Sequence, residues 1–95
     1  MIRIENSLHS RFASDLLDLV ATVAEGDGAE VQIVKENSSG EKDSIITTLL
    51  IGIAINGLYD LIKTAANRFA DRDDYSGITV LNIDGKPTRL DDILR

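Results

Sequence analysis

The stretch Ile45-Ile46-Thr47-Thr48-Leu49-Leu50-Ile51-Gly52-Ile53-Ala54-Ile55-Asn56-Gly57-Leu58 decides the fold. Wound as a helix, it is apolar around its whole circumference, and such a helix needs cover on every side. Beyond Tyr59 the pattern becomes amphipathic. Leu61, Ile62, Ala65, Ala66 and Phe69 share one face, and Asp60, Lys63, Thr64, Asn67 and Arg68 hold the other. Asp43 or Ser44 can cap the start, and Asp71-Arg72-Asp73-Asp74 with Gly77 stops the pattern. The expectation is one long helix over about residues 44–71.

Three covers for its first half are open. A membrane span needs about 20 apolar residues, and this run is bounded by Glu41-Lys42-Asp43 and Asp60, which disfavours it. A core position between a sheet and another helix is the second. The third is a partner or another copy of the chain, because an exposed apolar patch marks an interaction site. Thr48, Gly52 and Asn56 recur every fourth residue and would line one helix edge where another backbone can approach. The same small residues would equally admit the first helix or a strand of the same chain.

Working outward toward the N-terminus, Ile2 and Ile4 alternate with Arg3 and Glu5, the pattern of a half-buried strand. Leu8, Phe12, Leu16, Leu19, Val20 and Val23 recur at helical spacing after a possible cap at Ser7, and Gly26 and Gly28 end that helix. Ala29 to Val34 alternates again as a second strand. Residues 35–43 are expected to be a polar loop, having nothing to bury. Toward the C-terminus, Ile78 to Ile83, rich in β-branched residues, precedes Asp84-Gly85, which supplies the positive φ angles of a tight hairpin over about residues 78–90. Pro87 puts the short return strand at a sheet edge. Asp91 to Leu94 closes with a turn of helix.

The order is β-α-β-α-β-β. It implies one two-layer α+β domain over residues 1–95, with a mixed four-stranded sheet, a parallel right-handed crossover and both helices on one face.

The chain has 95 residues, sixteen acidic against ten basic, no cysteine and a net charge of −6. No disulfide or thiolate metal site is possible, which points to the cytoplasm. The negative charge repels phosphate backbones, so nucleic acid is not an expected partner. The alternating N-terminus is unlike a secretory signal.

Catalytic chemistry has little to work with. His9 is the only histidine, no serine sits in a Gly-x-Ser-x-Gly elbow, and Gly26-Asp27-Gly28 follows a helix where a phosphate loop would follow a strand. Asp71, Asp73 and Asp74 lack the further oxygen ligands of a calcium loop. No enzyme activity, cofactor or metal is expected.

A short N-terminal strand, an amphipathic helix, a second strand, a loop with Gly40-Glu41, the apolar segment Ile53-Ala54-Ile55-Asn56-Gly57-Leu58-Tyr59-Asp60-Leu61-Ile62 and an Asp-Gly hairpin follow one another. Together they resemble the small bacterial family called effector-associated constant component. The resemblance spans nearly the whole chain at the level of architecture. It implies a non-enzymatic component of a bacterial conflict or defence system, acting beside a separate effector.

Two binding expectations result. In the first, the chain associates with itself or with a protein effector through Thr48, Leu49, Gly52, Ile53, Ile55, Asn56 and Tyr59 on the apolar helix. In the second, it is an acidic inhibitor, an immunity or anti-defence protein, that presents Asp71, Asp73, Asp74, Asp91 and Asp92 to a basic site on its target.

Overall fold

A computed structural model describes residues 1–6, 11–37, 45–70 and 72–95. In chain order the elements are β1 (Ile2–Asn6), α1 (Arg11–Gly26), β2 (Val31–Asn37), β3 (Ile45–Ile51), α2 (Ile55–Ala66), α3 (Arg72–Tyr75), β4 (Val80–Ile83), β5 (Lys86–Arg89) and α4 (Leu90–Leu94).

The expected long helix over residues 44–71 is therefore two elements, a strand and a shorter helix. Ile45, Ile46, Thr47, Thr48 and Ile51 are β-branched, stiff at χ1 and suited to a pleated surface. Along β3, Thr47, Leu49 and Ile51 are buried while Ile46, Thr48 and Leu50 are half-buried. A strand between two neighbours, partly covered on both faces, reads as apolar in every direction, and so does a buried helix. Gly52 ends the strand by donating its N–H to the Glu30 carbonyl at 2.9 Å. Ala54 then takes an extended conformation, φ −72° and ψ 155°, ahead of α2. The first helical hydrogen bond runs from Leu58 N–H to Ala54 O at 3.0 Å.

The sheet has five strands in the order β2-β3-β1-β4-β5, and every neighbouring pair is antiparallel. This corrects the expected mixed four-stranded sheet. β1 and β2 do run in the same direction, as a crossover through α1 requires, but β3 lies between them and pairs with both. β3 and β4 likewise share a direction and flank β1. The connectivity is thus the split β-α-β-β-α-β of the ferredoxin-like arrangement, extended at one edge by β5. The expected loop is shortened as well, since residues 35–37 belong to β2, while 38–43 lie outside the described residues. Ser7, His9, Ser44 and Asp71 lie outside them too.

One face of the sheet carries the core. Ile4, Leu49, Ile51, Leu81 and Ile83 point to α1 and α2 and are between 0% and 5% exposed. They meet Phe12, Leu16, Leu17 and Val20 of α1 and Leu58, Ile62 and Ala65 of α2 in one cluster. Each fully buried large side chain contributes about 1.5–3 kcal/mol relative to exposure. Phe12 also packs edge-on to Phe69 at 5.3 Å and stacks on Tyr75 at 4.9 Å between centroids. That contact fastens the first turn of α1 to the chain beyond α2. α1 ends as expected at its glycines: Ala29 N–H reaches Ala24 O and Gly28 N–H reaches Glu25 O, both at 3.0 Å. This is a Schellman motif with Gly28 at φ +86°.

The polar groups taken into this core are paired. Asn6 Oδ1 accepts the Thr47 N–H at 2.7 Å, and Ser14 Oγ and Thr47 Oγ1 share a hydrogen bond at 2.5 Å. The backbone register of β1 with β3 ends at Glu5 and Thr48. One residue further on, the Asn6 side chain takes the place of the ladder at Thr47. At the opposite end, the β4–β5 hairpin turns through Asp84 (φ 52°) and Gly85 (φ 84°), as its sequence predicts. β5 forms an edge with Pro87 in it. Among the described residues no helix is long and apolar enough to cross a membrane.

Candidate interaction surfaces

β2 is the other edge of the sheet, and it differs from β5 in length and in its lack of proline. It is seven residues long, with no proline, and it pairs with β3 along its full length, from Val31 opposite Ile51 to Asn37 opposite Ile45. The bond from Gly52 N–H to Glu30 O fixes which backbone groups face β3. In an antiparallel ladder, hydrogen-bonded pairs alternate with non-hydrogen-bonded ones. Gln32, Val34 and Glu36 therefore bond inward to β3. The N–H and C=O groups of Val31, Ile33, Lys35 and Asn37 point outward from the sheet edge.

Two apolar side chains at the middle of this edge are exposed, Ile33 at 40% and Val34 at 49%. They lie on opposite faces, because successive residues of a strand alternate. Lys35 follows on the helix side of the sheet, where its Nζ lies 2.7 Å from Asp18 Oδ2 of α1. The ammonium that would otherwise guard the edge is drawn back over its own helix.

Among the described residues no helix packs on the other face of the sheet, and directly opposed residues share a face. Val34 stands opposite Thr48, between Ile46 and Leu50 of β3, so the apolar part of this face is continuous with the β2 edge. Over β1 the face becomes polar. Arg3 Nη2 and Thr48 Oγ1 each lie 3.2 Å from Glu5 Oε2. A hollow of about 220 Å³ lies beside them, lined by Arg3, Glu5, Asn82 and Gly85.

A larger open cleft of about 470 Å³ lies where the end of α1 meets the start of α2. Ala24, Ile53 and Leu61 give it an apolar floor, and Asp27, Asp60 and Thr64 stand around it. The Thr64 hydroxyl donates to the Asp60 carbonyl one turn earlier, at 2.9 Å. No group of acidic or histidine side chains among the described residues could hold a metal ion.

The interface residues expected on one helix are dispersed. Leu49 is in the core at 0% exposure, and Thr48 lies on the sheet face away from the helices. Gly52 follows β3, Ile53 packs half-buried against the core, and Tyr59 does the same from α2. Ile55 and Asn56 are exposed in the first turn of α2. Thr48, Gly52 and Asn56 do not form a helix edge, since only Asn56 is in a helix. A Cβ at Gly52 would meet Glu30 Cβ at 3.5 Å, ordinary contact, so no close backbone approach depends on this glycine.

The acidic segments are partly brought together. Asp74 is exposed in α3, and Asp91 and Asp92 form the first turn of α4. Asp91 N–H donates to Ser76 O at 3.2 Å, which sets the start of α4 against the end of α3. Arg89 enters this patch, with Nη2 3.2 Å from Gly77 O and 3.9 Å from Asp91 Oδ2, and offsets part of its charge. Asp73 belongs to α3.

The β2 edge was missed in the sequence because Lys35-Glu36-Asn37 reads as loop. The available signal was weaker: alternation from Val31 to Ile33, then β-branched Val34, with no glycine or proline before Asn37. No protein-family model, curated protein or solved structure matches the chain.

Proposed function

We propose that this chain is a non-enzymatic protein–protein interaction module that accepts an extended strand at the edge of β2. The observation that carries this function is the outward row of backbone groups at Val31, Ile33, Lys35 and Asn37, flanked by exposed Ile33 and Val34. No other strand pairs with this edge among the described residues, and an edge of this length is a template for another strand, whose main-chain hydrogen bonds supply affinity while alternate side chains supply selectivity. Val34, exposed at this edge, would be covered by the side chains of the added strand, while Ile46 and Leu50 lie one strand further in. The partner is a second copy of the chain or a protein effector. A role beside an effector in bacterial defence rests on the architectural resemblance alone.

Amide hydrogen exchange tests this function with a synthetic peptide of residues 31–37 as the probe. The amides of Gln32, Val34 and Glu36 are protected in the free protein by β3. At protein concentrations low enough for the amides of Val31, Ile33 and Lys35 to exchange rapidly, addition of the peptide is expected to protect them as well. Unchanged, rapid exchange at those outward amides, at every peptide and protein concentration, would remove the proposed binding mode.

A further inference from the structure

We infer that the strand received at the β2 edge is β2 of a second copy, related by a two-fold axis through Val34, so that two sheets join into one. This rests on the strand-accepting function above and adds the partner and the register.

The residues of β2 are self-complementary about Val34. A two-fold axis perpendicular to the sheet keeps each side chain on its own face, so only residues of like parity can oppose one another. Centred on Val34, the strand places Val31 opposite Asn37 of the partner strand, Gln32 opposite Glu36, Ile33 opposite Lys35 and Val34 opposite itself. The outward-pointing residues then all fall in hydrogen-bonded pairs. About eight backbone hydrogen bonds result, two for each such pair.

The side-chain pairs agree with this register. Val34, 49% exposed in the free chain, meets Val34 in the closely spaced non-hydrogen-bonded pair. Gln32 can donate its amide to Glu36. Ile33 lies against the aliphatic stem of Lys35, whose ammonium remains on Asp18 of its own α1. No like charges are opposed. Centring on Ile33 would oppose Glu30 to Glu36, and centring on Lys35 would oppose two ammonium groups. The opposite edge offers no equivalent, because β5 has only four residues and Pro87 among them.

Because the chain has no cysteine, single cysteine substitutions report the register in the full-length protein. Opposed residues at a non-hydrogen-bonded site have Cα atoms about 4.5 Å apart, within disulfide range. Val34→Cys is expected to form a covalent dimer under mild oxidation much faster than it does in denaturant. Gln32→Cys and Ile33→Cys, displaced from the axis, should form it at the denatured rate only. Ile33→Pro removes an outward N–H from each protomer and should weaken dimerisation in light scattering by at least about tenfold. Its thermal melt shows whether the fold is intact. A monomer at all concentrations with no excess cross-linking of Val34→Cys would overturn the dimer, even if the 31–37 peptide still protects the outward amides and so keeps the strand-accepting function. Cross-linking through Ile33→Cys in place of Val34→Cys would overturn the register.

Discussion

Gly52 donates its backbone N–H to the carbonyl of Glu30 at 2.9 Å. This contact closes the β2–β3 ladder at the point where β3 gives way to the turn before α2. It also sets the alternation that leaves Val31, Ile33 and Lys35 facing outward. The glycine is required by neither role, since what is used is its N–H. Gly52→Ala should change stability by less than about 1 kcal/mol, because the added methyl finds Glu30 Cβ at an ordinary 3.5 Å. Gly52→Pro removes the donor and should cost about 1–3 kcal/mol. Urea melts of the two variants distinguish a strand end from a glycine-lined helix groove, in which the alanine would be the damaging change.

Leu49 and Ile55 belong to the same apolar run but have opposite environments, 0% and 42% exposed. Leu49→Ala should cost about 2–5 kcal/mol through the cavity it leaves. Ile55→Ala should stay within about 1 kcal/mol, as surface substitutions do. Equal costs in chemical denaturation would contradict the division of the run into β3 and α2.

Ser14, Thr47 and Asn6 form a buried polar connection between α1, β3 and the end of β1. Asn6→Leu leaves the Thr47 N–H without its acceptor and should lower stability by about 1–3 kcal/mol. Ser14→Ala strands one hydroxyl, whereas Ser14→Ala with Thr47→Val removes both. The double variant should therefore lose less than the sum of its singles, by roughly 0.5 kcal/mol or more. Strict additivity in a double-mutant cycle would show that the hydroxyls do not interact.

Gly85 has φ +84° in the β4–β5 turn, with open space around it. The cost of Gly85→Ala is then purely conformational and should be about 1–2 kcal/mol. Gly26 also has open space, without the positive φ. Gly26→Ala should be neutral or stabilising by up to about 1 kcal/mol. In thermal melts only Gly85→Ala should lower the midpoint.

Much of the architecture was legible from local chemistry. The alternation of Ile2 and Ile4 marked β1, the helical spacing from Phe12 to Val23 marked α1, Gly28 closed that helix, and Asp84-Gly85 with Pro87 marked the terminal hairpin and its edge. Each of these signals is carried by neighbours within a few residues, which is why it survives in a sequence. The pattern from Ile45 to Leu58 is different. A nearly unbroken apolar run reads equally as an inner strand or as a buried helix, so periodicity cannot separate them. What separates them is pairing: β3 finds β2 on one side and β1 on the other, with partners distant along the chain. The same pairing left β2 at an edge and turned its alternate backbone groups outward. Composition and local pattern thus determined an acidic α+β chain with a capped helix and a closing hairpin, whereas only long-range strand pairing decided that the apolar run divides at Gly52 and that the exposed surface lies on β2.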